Sequence, residues 1–377
     1  MHDCISVMNE GNWYSISNID AIDSPTLVIY PERVRQNIDT LLASIDDINR
    51  LRPHVKTHKS AEVSRMMLDR GIRKFKCATI AEAEVLASEG APDVLLAYQP
   101  VGPKAGRLLK LVTKFPNTLF SCLIDNAGTA RELSDCFAAA NARAQVFIDL
   151  NVGMNRTGIA PSDALDLIKS IGTLVNVVVR GLHAYDGHIR DTDMAIRTQK
   201  CDAALAPVMD LRRSATEMLK RDLIVVAGGT PTYSVHRTRH GVECSPGTFI
   251  YWDQGYSDIL QEQDYQFAAL VITRVVSLPK PGVICVDLGH KAIASENPID
   301  KRVSFLNSGA LLPIGHSEEH MVFEVTDNRV YQVGDVLYGV PYHICPTVAL
   351  HQKPAIVYDG GVREYWNTQS RSRLITI

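Results

Sequence analysis

Leu51-Arg52-Pro53-His54-Val55-Lys56-Thr57-His58-Lys59 starts apolar, turns basic and leads into a helix-forming stretch. Its reading decides the fold. Taken as a β-strand over 51–56 followed by a helix over 61–70, it is one βα unit. The same alternation continues downstream, with strand-like runs at 74–79, 94–98, 118–124, 145–150, 177–185, 223–227 and 241–245. Helical candidates lie between most of them, including 80–88 and 191–220. Eight such units in about 210 residues have the size and rhythm of a TIM (β/α)8 barrel.

Upstream, Thr26-Leu27-Val28-Ile29-Tyr30 reads as a further strand, and Pro31 opens an amphipathic helix with Val34, Ile38, Leu41 and Leu42 on one side. After residue 264 the rhythm changes. Strand-like runs at 267–278, 283–288, 320–325, 335–339 and 355–358 are separated by Pro, Gly, Asn and Asp clusters, with no helix between them. The expected division is an N-terminal segment (1–24) packing with the β-domain, a barrel (25–262) and a C-terminal β-domain (263–377).

Composition narrows the function. In 377 residues, 46% hydrophobic and 21% charged, the net charge of −3 carries no basic patch of the kind nucleic acid requires. No apolar run approaches the roughly 20 residues that cross a bilayer. The eight cysteines form no CxxC and several sit inside apolar runs, which suits reduced thiols and a cytoplasmic protein. The start, MHDCISVMNEGNW, lacks the basic and apolar parts of a signal peptide. A small-molecule partner is the expectation.

Five clusters carry possible chemistry. Alternation along an extended 51–58 puts His54, Lys56 and His58 on one side, flanking a lysine with imidazoles at the barrel's active end. A partly desolvated lysine is a usable Schiff-base amine, while the bland alternative is a solvated basic loop. Asp149-Leu150-Asn151-Val152-Gly153-Met154-Asn155-Arg156-Thr157-Gly158 brackets Arg156 with glycines, suiting it to an anionic or phenolic oxygen, or is a plain turn. Gly181-Leu182-His183-Ala184-Tyr185-Asp186-Gly187-His188 gathers Tyr185 and His188 at the end of the sixth strand. Loops after strands seven and eight, Gly228-Gly229-Thr230 and Cys244-Ser245-Pro246-Gly247-Thr248, have the glycines and hydroxyls of a phosphate cradle, with Gly229, Thr230, Gly247 and Thr248 as candidates. In Pro341-Tyr342-His343-Ile344-Cys345-Pro346-Thr347, an extended chain would point His343 and Cys345 the same way, a zinc-suited pair with positions left open for water or substrate.

Together these segments resemble the D-threonine aldolase and D-serine dehydratase family, the metal-activated branch of fold-type III pyridoxal-phosphate (PLP) enzymes with the alanine racemase architecture. The likeness runs from about Ile22 to near the C-terminus and also includes Cys77-Ala78-Thr79 with Glu82-Ala83-Glu84. It implies that Lys56, not Lys59, holds PLP as a Schiff base and that Arg156 contacts the cofactor ring oxygen. Tyr185, His54 and the two glycine loops would be cofactor contacts, with His343 and Cys345 the ligands of a divalent metal, zinc or manganese. Thr230 for phosphate, and His188 for proton transfer or the metal shell, follow from loop position. The implied activity is a lyase on a small D-β-hydroxy amino acid, by retro-aldol cleavage or alternatively by dehydration, in a homodimer. A racemase and a non-catalytic PLP carrier are the rival readings.

Overall fold

Residues 12–377 are described by the computed structural model. The first strand, β1 (Thr26–Ile29), is followed by a helix over Pro31–Ala43 that buries Val34, Ile38 and Leu41. Next come β2 (Lys74–Cys77), β3 (Asp93–Leu96), β4 (Leu119–Ile124), β5 (Ala144–Leu150), β6 (Val177–Ala184), β7 (Ile224–Ala227) and β8 (Val242–Cys244). These seven pair in parallel in chain order, with helices between them. The eighth stave is residues 51–54, joined to β8 by Leu51 opposite Cys244 and to β2 by His54 opposite Lys76. Backbone hydrogen bonds from Arg52 to Cys244 (2.8 Å), His54 to Pro246 (2.9 Å) and Lys76 to Pro53 (2.9 Å) close the ring.

The strand expected over 51–56 therefore stops at His54. Pro53 has no N–H to give to a ladder, and Val55–Thr57 forms a single 3₁₀ turn whose Lys56 N–H donates to His54 Nδ1 at 3.3 Å. The turn breaks the two-residue alternation, so His54, Lys56 and His58 do not share one face of a strand. His58 is buried, accepts the Ser60 N–H at 3.1 Å and is pushed to about 3 by burial and then by Lys59. It is a structural imidazole.

Alternation along the staves fills the barrel in layers. At the bottom, the fully buried Arg52 donates to Glu243 and Asp93 at 2.7 Å each, Lys74 pairs with Glu243, and Arg180 reaches Asp93 at 3.2 Å. Leu95, Leu123, Phe147 and Val226 form the apolar middle. His54, Lys76, Asp149 and His183 form the top, all buried. A register shift where β6 passes Val146 and Phe147 brings Gly181 against the Phe147 ring, where a Cβ would lie 2.2 Å from the Ile224 carbonyl oxygen.

The second sheet comprises β9 (Ala269–Lys280), β10 (Val283–Val286), β11 (Val303–Phe305), β12 (Leu311–His316), β13 (Met321–Val325), β14 (Val336–Pro341), β15 (Ala355–Tyr358) and β16 (Gly361–Tyr365). β1 joins it, antiparallel to β9 and parallel to β15, so the strand that opens the expected barrel segment belongs to this sheet instead. Tyr14, Ile16 and Ile22 pack there against Val28, Leu270 and Tyr338. β11, β12 and β16 were not expected, and neither was a helix over Ile344–Leu350 between β14 and β15. Cys4 and the rest of the presumed extension up to residue 11 lie outside the described residues. The seven described cysteines are unpaired, and no described helix is long and apolar enough to cross a membrane.

Arg52 neutralises two carboxylates that have little water to turn to. Replacing it by leucine leaves Asp93 and Glu243 undercompensated, and urea unfolding should show a loss of roughly 3 kcal/mol. A loss below about 1 kcal/mol would mean that Lys74 and Arg180 suffice.

Candidate active site

The upper barrel layer opens into a cavity of about 810 Å³ at the C-terminal ends of the strands, the end where barrels carry their active residues. Lys56, His54, Arg156, Tyr185, His343 and Cys345, six of the residues expected from sequence, all line it. The 3₁₀ turn delivers Lys56, whose Nζ has no hydrogen-bond partner among the described residues and lies 6.0 Å from the Tyr185 ring centroid. Lys59, by contrast, is paired with the buried Glu82, which also accepts the Ala78 N–H at 2.6 Å. Lysine for lysine, Lys56 is the available amine.

Tyr185 follows β6. Gly187 and Gly229 leave room for its ring: a Cβ on Gly187 would lie 2.2 Å from the Tyr185 hydroxyl, and one on Gly229 would lie 2.9 Å from the ring. Arg156 stands 5.2 Å from the same centroid. It is carried by a loop that leaves β5 and returns to it, Asn151 N–H donating to Ile159 O and Ile159 N–H to Asp149 O at 2.9 Å each. Gly158, at φ +99°, permits the return, since a Cβ there would lie 2.6 Å from the Asn151 nitrogen.

The loops after β7 and β8 meet. Thr230 Oγ1 accepts from Gly247 N–H at 3.1 Å and Thr248 N–H at 3.0 Å, and Gly247 lies close against His54. Beside them Ser245 Oγ is buried without a partner among the described residues. His188 departs from expectation: it is exposed, lies against Gly153 and is not among the residues lining the cavity.

His343 and Cys345 meet by a route the sequence reading did not foresee. The segment is not extended throughout; His343 caps the helix Ile344–Leu350, and the buried Asp253 accepts the Ile344 N–H at 3.1 Å. Pro346 falls in the first turn, where its missing N–H is tolerated. Cys345 lies 3.1 Å from Thr57 Oγ1. Burial opposes charge on both partners, but each favours the other's ionised form. His343, also supported by Glu296, is carried up to about 9, and Cys345 is held below the usual thiol range with help from Lys56. Because His343 Nδ1 is engaged by Glu296, its Nε2 is the atom left for a metal.

Several cavity residues escaped the sequence reading. Asp149 accepts from His183 Nδ1 at 2.7 Å and from Gln99 at 2.9 Å, and His183 Nε2 faces Lys76 Nζ at 3.3 Å. Burial and then Lys76 lower His183, while burial opposes charge on Asp149 but is outweighed by the His183 interaction and by hydrogen bonds from Thr157 and Gln99, which hold it below the ordinary carboxylate range. The alternation Lys74-Phe75-Lys76-Cys77 was the available signal, since a strand with apolar residues outward turns both lysines inward. Arg373 also reaches the cavity, on a C-terminal segment tied to the barrel through Arg107 and Ile377.

A second cluster lies behind Tyr185, where ligand atoms of Asp186, Cys201 and His236 come within 4.8 Å of one another. Its hydrogen bonds disfavour a cation: Asp186 accepts from His236 Nε2 at 2.7 Å and Thr232 at 2.6 Å, while Arg239 occupies His236 Nδ1 at 2.9 Å. Neither ring nitrogen is spare. The cluster braces the loop after β7.

Residues 29–255 match the alanine racemase N-terminal domain. The chain belongs to the alanine racemase-like family. Within it, the D-threonine aldolase and D-serine dehydratase branch is indicated by a match of residues 268–357 to the serine dehydratase domain. The chain is 27% identical over 368 residues to a D-threonine aldolase of Arthrobacter sp, and 27% over 372 residues to a 3-hydroxy-D-aspartate aldolase of Paracoccus denitrificans (strain Pd 1222). Each alignment covers 93% of both proteins, and dehydratases match at lower identity. The crystal structure of a D-threonine aldolase from Filomicrobium marinum superposes with TM-score 0.85 at 24% identity, covering 96% of this chain and 98% of that one. The alanine racemase-like fold expected from sequence is thus present along nearly the whole chain.

Glu296 supports the charged form of His343, so Glu296→Gln in metal-free protein should move the His343 titration from about 9 to lower pH. NMR of the imidazole protons reads this directly. An unchanged midpoint would show that Cys345 and Asp253 set it without Glu296.

Proposed function

We propose that the chain is a PLP- and divalent-metal-dependent lyase that cleaves the Cα–Cβ bond of small D-β-hydroxy amino acids, giving glycine and an aldehyde. The observation that carries this reading is the sharing of one cavity by the unpartnered Lys56 amine and the His343–Cys345 pair. A lyase of this type needs an amine for the cofactor and a metal for the β-hydroxyl within reach of one substrate.

The residues present fit both groups. Lys56 would hold PLP, with Tyr185 beside its ring and Arg156 at its ring oxygen. The partnerless Ser245 hydroxyl and the loop N–H groups now bound to Thr230 suit its phosphate. His343 and Cys345 would hold the metal, and Glu296 would orient the imidazole. When bound, PLP supplies an electron sink for charge at Cα, and the metal supplies a Lewis acid at the β-oxygen. The chain's own part is to orient. Arg156, Lys104 and Arg373 give the cavity positive charge suited to phosphate and carboxylate, and the upper barrel layer holds the groups that can move protons. His188, exposed and outside the cavity lining, is given no role.

One observation favours a second reading. Cys345 is a soft ligand that suits zinc, and by family resemblance cysteine at this place goes with dehydration, which yields keto acid and ammonia. Incubation of holoprotein with D-threonine and D-serine, with and without chelator, separates the two. The aldolase reading expects glycine and acetaldehyde from D-threonine, lost on chelation. Keto acid from D-serine without any aldehyde from D-threonine would overturn it.

A further inference from the structure

Lys76 is an unusual lysine. It is 2% exposed, yet it makes no salt bridge among the described residues, and its hydrogen-bond partner is the His183 imidazole. A buried cation without a carboxylate partner is expensive, and a methionine would fill the same space without that penalty. Nothing in the packing explains it. Lys76 lines the cavity, and its Nζ lies 5.4 Å from the centroid of the Tyr185 ring that Lys56 and Arg156 also face.

We propose that Lys76 is a second acid–base group of this cavity, its amine poised by the Asp149–His183 pair to give a proton to the substrate Cα. This rests on the lyase reading above. The geometry gives the chain a direction: Asp149 fixes the imidazole with Nδ1–H toward itself, so the Nε2 lone pair meets the Lys76 ammonium. The groups facing Lys76 are Arg52 and His54 on the stave 51–54, Lys56 on the turn that follows it, Asp149 on β5, and His183, Tyr185 and Asp186 on and after β6. Burial, then the charge of Lys56, pushes Lys76 down to about 7 against the pull of Asp149 and Asp186. It can therefore be charged or neutral near neutral pH, as proton transfer requires.

The step balances. When Cα–Cβ breaks, the electron pair comes to rest on the Cα side, the β-hydroxyl proton leaves to solvent, and the aldehyde departs. The Lys76 ammonium gives one proton to Cα, completing glycine, and the neutral amine takes one back from water. Lys56 would leave the cofactor when the substrate amine takes its place, so Lys76, never bonded to the cofactor, is the second amine of the cavity and the one held by the Asp149–His183 pair.

Two measurements test this. Trace acetylation with acetic anhydride across pH, followed by peptide mass spectrometry, reads the Lys76 amine itself. A midpoint near 7 is expected, moving lower in Asp149→Asn, and a midpoint near 10 would overturn the proposal. Exchange of the glycine Cα proton in D2O by holoenzyme should fall about 100-fold in Lys76→Met and in Lys76→Arg, which keeps the charge but cannot release it. If Lys76→Met does not fold, Lys76→Arg decides. Variants that exchange at the wild-type rate in an active enzyme overturn this proposal alone, whereas a wild-type protein that neither cleaves nor exchanges overturns the lyase reading.

Discussion

Three backbone hydrogen bonds hold residues 51–54 between β8 and β2, and everything at the barrel mouth depends on that closure. It sets Arg52 downward into a charged layer and His54 upward beside Lys76. It also ends the stave at Pro53-His54, so that the next residues turn and bring Lys56 to the rim. A longer first strand would alternate Lys56 into the barrel wall or its interior. The 3₁₀ turn is how a short stave places an amine in an open cavity.

The barrel interior divides its charges by depth. At the bottom, Arg52, Lys74 and Arg180 meet Asp93 and Glu243, so buried charges are paired and the layer is structural. Above the apolar middle, pairing is incomplete. His54 is driven well below its ordinary range by burial and by Lys56 and Lys76, and the one carboxylate of that layer is shared between His183 and Gln99. Incomplete pairing in a cavity is the environment in which titration near neutrality arises. The same contrast separates the two cation candidates: Asp186, Cys201 and His236 are saturated by their neighbours, while His343 and Cys345 face open space.

Much of this was legible in the chain. Seven of the eight staves lie where apolar runs alternate with amphipathic helices, and the helix Ile80–Ser88 matches its expected span. Lys56, Arg156 and Tyr185 were readable as cavity residues because each sits beside a turn signal at the same end of the barrel, and His343 with Cys345 because of their two-residue spacing in the β-domain and the family resemblance. What failed did so for local reasons. β1 joins the second sheet because pairing partners distant in sequence, β9 and β15, decide its place. The helix after His343 was hidden by Pro346, which reads as a breaker but is harmless in a first turn, and by a cap supplied from Asp253, 91 residues away. Lys76 was passed over as one of two lysines in a short strand. His188 was drawn in by its loop position after the sixth strand, but its side chain is exposed while its neighbours Gly187 and Ile189 are buried.

The account stands on one covalent bond at one amine. Borohydride reduction of the purified holoprotein, followed by proteolysis and mass spectrometry of the pyridoxyl peptide, locates it. The label is predicted on Lys56 alone. A label on Lys59 or Lys76 with Lys56 unmodified, or no label in protein that binds PLP, would contradict it.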